Sequence, residues 1–126
     1  MTRAVVCVAT TPYYQRGQAR QVEACKVYSS GGESLSFKNT SPAWPSHFDK
    51  PYAFKAYALK FAEDGGYDLL LWADACILPV KSLEPLWERI ERDGYWFSRS
   101  GWNNYEWTAD DAYHSLFRSD DPGVDG

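Results

Sequence analysis

The sequence predicts an α/β domain built on a mainly parallel sheet. Two observations support this prediction: apolar runs typical of buried strands, and stretches between them that have the periodicity of helices. An alternation of strands and helices favours a parallel sheet, because each pair of parallel strands needs a crossover connection. The length of 126 residues and the formal net charge of −4 suit one domain with its own hydrophobic core.

Four stretches have the composition of strands. Residues 3–10, RAVVCVAT, form a β-branched and apolar run that ends at Thr-Pro, and we predict the central strand there. Residues 67–72, YDLLLW, are predicted to form a second buried strand. The shorter segments SLSFKN (34–39) and YWFS (95–98) are predicted to complete the sheet.

Three stretches before residue 95 have helical patterns, and two of them are clear. From about Lys50 to Asp64 the apolar positions fall at i, i+3, i+4, i+7 and i+8, namely Phe54, Tyr57, Ala58, Phe61 and Ala62. A second helix is predicted from the N-cap Ser82 to the stop at Gly94. Residues 16–29 contain helix formers but only a thin apolar stripe, so this helix is less clearly defined.

These elements place residues 1–118 in a single α/β domain. Its last element is a short helix from Thr108 to about Phe117, which begins with a capping pattern. Residues 119–126, SDDPGVDG, are acidic and rich in glycine, and they are predicted to form a disordered tail.

Composition and charge exclude several classes of function. The 13 Lys and Arg residues are scattered among 17 acidic residues without a basic block, so we expect no nucleic-acid partner. The three cysteines have no CxxC spacing, which favours free thiols in a reducing compartment. The apolar run near the N-terminus is too short for a signal peptide, and no other segment has the length of a membrane span. We therefore expect a cytoplasmic protein.

Asp74 stands alone among apolar residues in LLLWADACILPV, residues 69–80. A buried, unpaired carboxylate is unfavourable, so Asp74 is expected to end its strand, find a partner or carry out a function. In open α/β sheets, ligands bind beyond the carboxyl ends of the strands. Candidate binding residues at the ends of the two buried strands are Thr10, Thr11, Tyr13, Tyr14, Trp72 and Asp74. The alternative is that Asp74 caps the following turn through backbone N–H groups.

Aromatic residues make up 17% of the chain, which is more than a core of this size needs. Some of them are therefore expected on a surface that contacts a flat ligand, such as a sugar. In SGWNNYEW, Trp102, Tyr105 and Trp107 would stack on a sugar ring, and Asn103 and Asn104 would bond to its hydroxyl groups. The alternative for this segment is a packed hairpin or a lid.

The segment from about Asp49 to Ser98, which contains KPYAFKAYALKFAEDGG followed by YDLLLWADACILPV, resembles glycosyltransferases of the GT-A type, the nucleotide-diphospho-sugar transferases. The resemblance extends to the first strand. In this family a helix rich in small and aromatic residues precedes a strand that ends in a D-x-D or related motif. The resemblance implies a three-layer α/β/α, Rossmann-like fold in a short or truncated form. It also implies transfer of a sugar from a nucleotide-activated donor to an acceptor.

At Asp74-Ala75-Cys76 the resemblance implies an incomplete metal motif. In the family, motif aspartates bind a Mn²⁺ or Mg²⁺ ion that bridges the donor's diphosphate, and the end of the first strand lines the nucleoside pocket. Cys76 stands where the second aspartate would be, and a neutral thiol is a poor ligand for magnesium. Asp74 would then hold the metal through water or bind the donor's hydroxyl groups. His114 would complete the metal site, and its alternative is a packed or surface histidine.

Further roles follow from the same resemblance. Lys50 and Lys55 would be cations beside the diphosphate, and the alternative for Lys55 is a solvated lysine off the centre of the apolar helix face. Asp110 and Asp111 offer a catalytic base for a transferase that inverts the anomeric centre. They would equally suit the first turn of a helix, where acidic residues interact favourably with the helix dipole.

Two other classes of function fit the same residues. The first is a binding module that holds a nucleotide or a sugar without turnover, which the cysteine at position 76 favours. The second is a protein-interaction domain, in which the exposed aromatic side chains form the interface. A short chain would also complete its site by pairing subunits, so a homodimer is among the expectations.

Overall fold

A computed structural model describes residues 1–38, 44–45, 49–50 and 52–97 of the chain. The chain divides into two compact units, Met1–Tyr95 and Trp96–Gly126. The first unit contains β1 (Arg3–Val8), α1 (Pro12–Tyr28), β2 (Gly32–Phe37), α2 (Phe54–Asp64), β3 (Leu69–Trp72) and α3 (Glu84–Asp93). The predicted α/β class is therefore confirmed.

The three described strands form one parallel sheet in the order β2-β1-β3. The register pairs Val6 of β1 with Leu35 of β2 on one side and with Trp72 of β3 on the other. The first strand is central, as its continuous apolar run predicts. Because the chain passes from β1 to β2 on one side and returns to β3 on the other, the strand order reverses between β1 and β3.

Helices cover both faces of the sheet. Side chains of β1 alternate between the two faces, so one set packs against α2 and the other against α1 and α3. The buried residues on the α2 side are Ala4, Val6, Val8, Ala58 and Ala62. Those on the opposite side are Val5, Cys25, Leu69, Ala73 and Trp87. The first unit therefore has helix, sheet and helix layers, and β1 is buried on both faces.

Charged side chains stabilise the edge of the sheet where the strands begin, which we call the amino edge. Arg3 Nη1 and Nη2 donate to Glu84 Oε2 at 2.6 Å and to Oε1 at 3.1 Å. Arg3 Nη1 also donates to the Ser30 carbonyl oxygen at 2.8 Å, and the buried Trp87 donates from Nε1 to the Ser29 carbonyl oxygen at 2.8 Å. These bonds tie the start of β1 and the α3 helix to the loop after α1.

The helix α1 begins four residues earlier than the predicted start at residue 16. Thr11 is its N-cap, with a hydroxyl group that accepts a hydrogen bond from the Tyr14 N–H at 3.3 Å. Pro12 occupies the first turn, where its fixed φ suits the helix and its missing N–H is not needed. The segment predicted to follow the first strand therefore forms the cap and the first turn of a helix.

The helix α2 starts at Phe54 rather than at Lys50, and its buried face is narrower than predicted. Ala58 and Ala62 are buried, whereas Tyr57 and Phe61 are 43% and 55% exposed. Two small residues at i and i+4 allow close approach to the sheet, which leaves the larger aromatic side chains at the margin of the contact. The predicted end of the helix at Asp64 is confirmed, and Gly65 is its C-cap.

The helix α3 begins at Glu84 with Leu83 as its N-cap, one residue after the predicted cap Ser82, and it ends at the predicted Gly94. The Ser82 hydroxyl accepts a hydrogen bond from the Glu84 N–H at 3.2 Å, and Gly94 ends the helix with a φ of 85°. Residues 95–97 form no strand, so the prediction for 95–98 is wrong over its described part. Their aromatic composition favours a strand, but composition alone does not determine the conformation of the backbone. Among the described residues, no helix combines the length and the apolar character of a membrane span.

Candidate functional site

The carboxyl edge of the sheet, where the strands end, carries the candidate site. The order of the strands reverses between β1 and β3, and ligands of open α/β sheets bind at such a point. The Ala73 N–H donates to the Val6 carbonyl oxygen at 3.0 Å, and Cys7, Ala9 and Ala75 form a small buried cluster. The turn that contains Asp74 is therefore packed beside the end of the central strand.

Asp74 leaves the buried strand with its side chain 54% exposed. Its Oδ1 atom accepts a hydrogen bond from Trp72 Nε1 at 2.8 Å and lies 3.6 Å from Lys55 Nζ. The turn itself is closed by the backbone, through a bond from the Ile77 N–H to the Asp74 carbonyl oxygen at 3.1 Å. Within the described residues the carboxylate thus contacts two side chains and does not cap its own turn.

Lys55 extends from the first turn of α2 to the end of β3. Its ammonium group lies 5.2 Å from the centre of the Tyr52 ring and 5.6 Å from that of the Trp72 ring. A cation within about 6 Å of a ring centre is attracted by the ring's quadrupole. Its side chain remains 38% exposed. The ammonium group of Lys55 thus has three defined neighbours, and its side chain is partly open to solvent.

Tyr52 is a site residue that the sequence interpretation missed. It precedes α2 and has a φ of 63°, a left-handed backbone conformation that non-glycine residues seldom adopt. Such conformations cluster at functional sites. The sequence gives only a weak indication of this role. Tyr52 lies three residues before Lys55, and this spacing brings side chains together along a helix.

Gln21 holds the Asp74 turn in place and was also missed. Its side chain is 2% exposed, and its Nε2 atom donates to the carbonyl oxygens of Asp74 at 2.8 Å and Ile77 at 2.9 Å. The Ala73 carbonyl oxygen is 3.3 Å from the same nitrogen. A single buried, neutral amide therefore donates hydrogen bonds to two carbonyl oxygens of this turn.

Two further glutamines on α1 bind the ends of the other strands. Gln18 Nε2 donates to the Phe37 carbonyl oxygen at 3.1 Å and to that of Cys7 at 3.4 Å. Gln15 Nε2 donates to the carbonyl oxygens of Lys38 at 3.0 Å and Ala9 at 3.2 Å. The three glutamines of α1 recur at every third residue of a helix that has few apolar positions. This spacing is the feature of the sequence from which their buried contacts could have been predicted. The contacts explain how such a polar helix face is buried.

Glycine at position 17 permits the close approach of α1 to the Asp74 turn. A Cβ atom at this position would lie 2.3 Å from the Ala75 carbonyl oxygen, which is too short for two non-bonded atoms. The glycine and the buried Gln21 thus fix the same turn from the same helix.

The remaining candidates at the carboxyl edge are described only in part. Tyr13 and Tyr14 are exposed in the first turn of α1, with their rings edge to face and the centroids 5.4 Å apart. Thr10 and Lys50 are exposed, and the Thr11 hydroxyl serves as the helix cap. Seven candidates lie outside the described residues, namely Trp102, Asn103, Asn104, Trp107, Asp110, Asp111 and His114.

The described donor set does not fit the Mn²⁺ or Mg²⁺ ion that the resemblance implies. Within residues 1–38, 44–45, 49–50 and 52–97, no group of three or more His, Cys, Asp or Glu side chains is arranged to hold a metal. Asp74 is one carboxylate, and the nearby ammonium group of Lys55 would repel a divalent cation. Hard divalent ions favour oxygen ligands, which the exposed Cys76 does not supply.

All three cysteines are free, as predicted. Burial raises the pKa of the Cys7 thiol, although a hydrogen bond with Gln18 acts in the opposite direction. Burial also raises the pKa of Cys25. A raised pKa keeps both thiols protonated and unreactive at neutral pH, so neither is a candidate nucleophile.

Comparisons with known proteins do not identify this chain. No protein-family model matches the sequence, and searches of curated proteins and of solved structures gave no match. The assignment of a function therefore rests on the residues and the geometry described above.

An open cleft of about 600 Å³ lies near the amino edge, away from Asp74. Its lining includes Arg3, Cys25, Ser29, Gly32 and Glu33. Arg3 is already paired with Glu84, and the Cys25 thiol is buried and unreactive. We therefore place the candidate site at the carboxyl edge, where an exposed carboxylate and a partly exposed cation meet.

Proposed function

We propose that this protein binds a nucleotide-activated sugar at the carboxyl edge of its sheet and transfers the sugar to an acceptor. The observation that carries the proposal is the exposed Asp74 carboxylate at the strand reversal, beside Lys55 and Trp72. A parallel sheet with helices on both faces is compatible with the GT-A type of fold, to which the resemblance of residues 49–98 points.

Each group suits one part of such a donor. A carboxylate accepts hydrogen bonds from sugar or ribose hydroxyl groups, and an ammonium group attracts a diphosphate. The Trp72 ring is partly buried, and the exposed rings of Tyr13 and Tyr14 offer stacking surfaces for a base. In the reaction an acceptor oxygen bonds to the anomeric carbon and the diphosphate leaves with the electron pair of its C–O bond. Stabilisation of that leaving group lowers the barrier.

A thermal-shift panel of nucleotide-diphospho-sugars tests the proposal, with each ligand added in EDTA and in Mn²⁺. We expect one nucleotide class to raise the melting temperature, by an amount that increases with ligand concentration. Asp74→Asn should abolish this increase without changing the melting temperature of the free protein, since the carboxylate is exposed and its ion pair is long.

A matched control is Asp64→Asn, because Asp64 is another exposed carboxylate paired with a lysine of α2, at 3.2 Å from Lys60 Nζ. This control should respond to ligand as the wild type does. Stabilisation that Asp74→Asn leaves intact would contradict the proposed site, and a lack of stabilisation by every nucleotide-sugar would contradict the proposed function.

A binding module without turnover is the second candidate. The exposed thiol of Cys76, where a second carboxylate would stand, favours it. Release of nucleoside diphosphate from the stabilising ligand, measured with and without candidate acceptors, separates the two functions. Stabilisation without release in any mixture supports the module.

A further inference from the structure

We propose that Lys55 supplies the positive charge for the donor's diphosphate in place of a divalent metal, and that Asp74 orients Lys55 rather than coordinating an ion. This inference rests on the proposed function and specifies how its site binds the donor. It replaces the Mn²⁺ or Mg²⁺ ion that the resemblance implies with a side chain of the protein itself.

The surroundings of Lys55 position its ammonium group and leave donors available. The ring centres of Tyr52 and Trp72 lie 5.2 and 5.6 Å from Nζ, so the aromatic faces confine the cation without accepting conventional hydrogen bonds. The Asp74 oxygen at 3.6 Å is beyond ordinary hydrogen-bond length. An ammonium group has three N–H donors, and the side chain is 38% exposed. A diphosphate would therefore reach donors that are already oriented.

The surroundings of Asp74 are unfavourable for a metal ion. Within the described residues both contacts go to Oδ1, one from an indole N–H and one from the ammonium group. A magnesium ion at about 2.0–2.1 Å from this oxygen would compete with both positively polarised groups. Cys76 two residues later is neutral and exposed, and the described part of the chain provides no cluster of metal ligands. The cation that this carboxylate already faces is Lys55.

The same lysine suits the leaving group during transfer. The bond between the anomeric carbon and the diphosphate breaks, the new bond to the acceptor oxygen forms, and the acceptor's proton passes to water. Lys55 remains protonated throughout and forms no covalent bond. It offers hydrogen bonds to the oxygen atoms on which negative charge increases, so its effect is greatest in the transition state.

Two binding measurements test the inference without turnover. The first is calorimetric titration with inorganic pyrophosphate in EDTA. We expect binding in the wild type, and a loss of affinity of about tenfold or more in Lys55→Met, which removes a charge-assisted hydrogen bond. Lys55→Arg keeps the charge and should restore most of the affinity. Lys60→Met is the matched control, since Lys60 is an exposed lysine of the same helix that pairs with Glu63 and Asp64.

The second measurement is titration with Mn²⁺ alone, followed by electron paramagnetic resonance. The wild type should bind Mn²⁺ no more tightly than Asp74→Asn does. Circular dichroism of each variant confirms that it is folded.

The outcomes separate this inference from the proposed function. Three results would overturn the inference. The first is that the wild type binds Mn²⁺ and Asp74→Asn does not. The second is that pyrophosphate binds only when Mn²⁺ is present, and the third is that Lys55→Met binds pyrophosphate as tightly as the wild type does. Each of these results leaves nucleotide-sugar binding at the carboxyl edge intact. Absence of binding by every nucleotide-sugar, in EDTA and in Mn²⁺ alike, overturns the proposed function itself.

Discussion

The two edges of the sheet use charged side chains in different ways. At the amino edge, Arg3 binds both carboxylate oxygens of Glu84, at 2.6 and 3.1 Å, and joins β1 to α3. At the carboxyl edge, the Lys55 ammonium group lies 3.6 Å from the Asp74 carboxylate, whose side chain is half-exposed. Charges at the first edge hold structural elements together, whereas those at the second remain accessible to a ligand.

Neutral amides replace the structural ion pair at the carboxyl edge. The side chains of Gln15, Gln18 and Gln21 join α1 to carbonyl groups that follow or end all three described strands. An amide satisfies these carbonyl oxygens without adding a charge to the surroundings. This difference indicates that the carboxyl edge is fixed in shape while its charged groups stay free to bind. The predictions below test this difference between the edges.

The largest expected effect is at the amino edge, from Trp87→Ala. Trp87 is fully buried between the sheet and α1, and its indole N–H is bonded to Ser29. Removing the ring leaves a cavity and removes the indole hydrogen bond to the Ser29 carbonyl oxygen, so the free energy of unfolding should fall by about 3–5 kcal/mol. Urea denaturation measures the change. Val27→Ala, at a highly exposed position, is the control and should alter it by less than about 0.5 kcal/mol.

Gly17→Ala should destabilise the carboxyl edge by about 1–3 kcal/mol. The new methyl group would lie 2.3 Å from the Ala75 carbonyl oxygen, and both groups belong to backbone segments that are difficult to move apart. In an uncrowded helix the same change stabilises by about 0.5–1 kcal/mol. If urea denaturation showed that Gly17→Ala is more stable than the wild type, this result would contradict the close approach of α1 to the turn.

Gln21→Leu should lower the free energy of unfolding by about 1–3 kcal/mol, because carbonyl groups of the turn lose their buried donor. It should also weaken pyrophosphate binding, since the turn positions Asp74 beside Lys55. Denaturation and calorimetry measure the two effects. Arg20→Leu changes the exposed neighbouring position and should have neither effect. A stable Gln21→Leu protein with unchanged binding would contradict the role of the amide.

The smallest expected effect is on stability at acid pH. We expect the loss of stability at low pH to come mainly from carboxylates at the amino edge. The hydrogen bond from Arg3 holds the pKa of Glu84 below its usual value, and bonds from Thr2 do the same for the pKa of Asp68. A carboxylate whose pKa is lowered in the folded state stabilises the protein at pH values above its pKa in the unfolded state, which is about 4.3 for glutamate. This stabilisation is lost as the pH falls through the lower pKa of the folded state. Glu84→Gln should therefore have a flatter profile of melting temperature between pH 7 and 3, a range that spans this value. Identical profiles for Glu84→Gln and the wild type would refute this assignment.

The parts of the fold that follow local patterns were predictable. The apolar runs of β1 and β3 and the capped, amphipathic α3 depend on neighbours in sequence, and each formed close to its expected bounds. The strand predicted at 95–98 relied on composition alone, which does not determine the conformation of the backbone. The start of α1 was misplaced because Thr11-Pro12 fits both the end of a strand and the cap of a helix.

The site was predictable where it depends on strand ends. An aspartate after a buried run emerges at the edge of the sheet, so the exposure of Asp74 followed from the sequence. The contacts of Gln21 and the conformation of Tyr52 did not, because they depend on where α1 and the turn before α2 lie relative to β3. Such placements arise from packing between distant segments, which hydrophobic periodicity does not encode.

The most direct test of the central claim is an amide NMR titration of the wild type with the nucleotide-diphospho-sugar that the thermal-shift panel selects. If the ligand binds at the carboxyl edge, the largest changes in chemical shift should fall on residues 9–14 and 73–76. Shifts concentrated on residues 29–34, which line the amino-edge cleft, would contradict it.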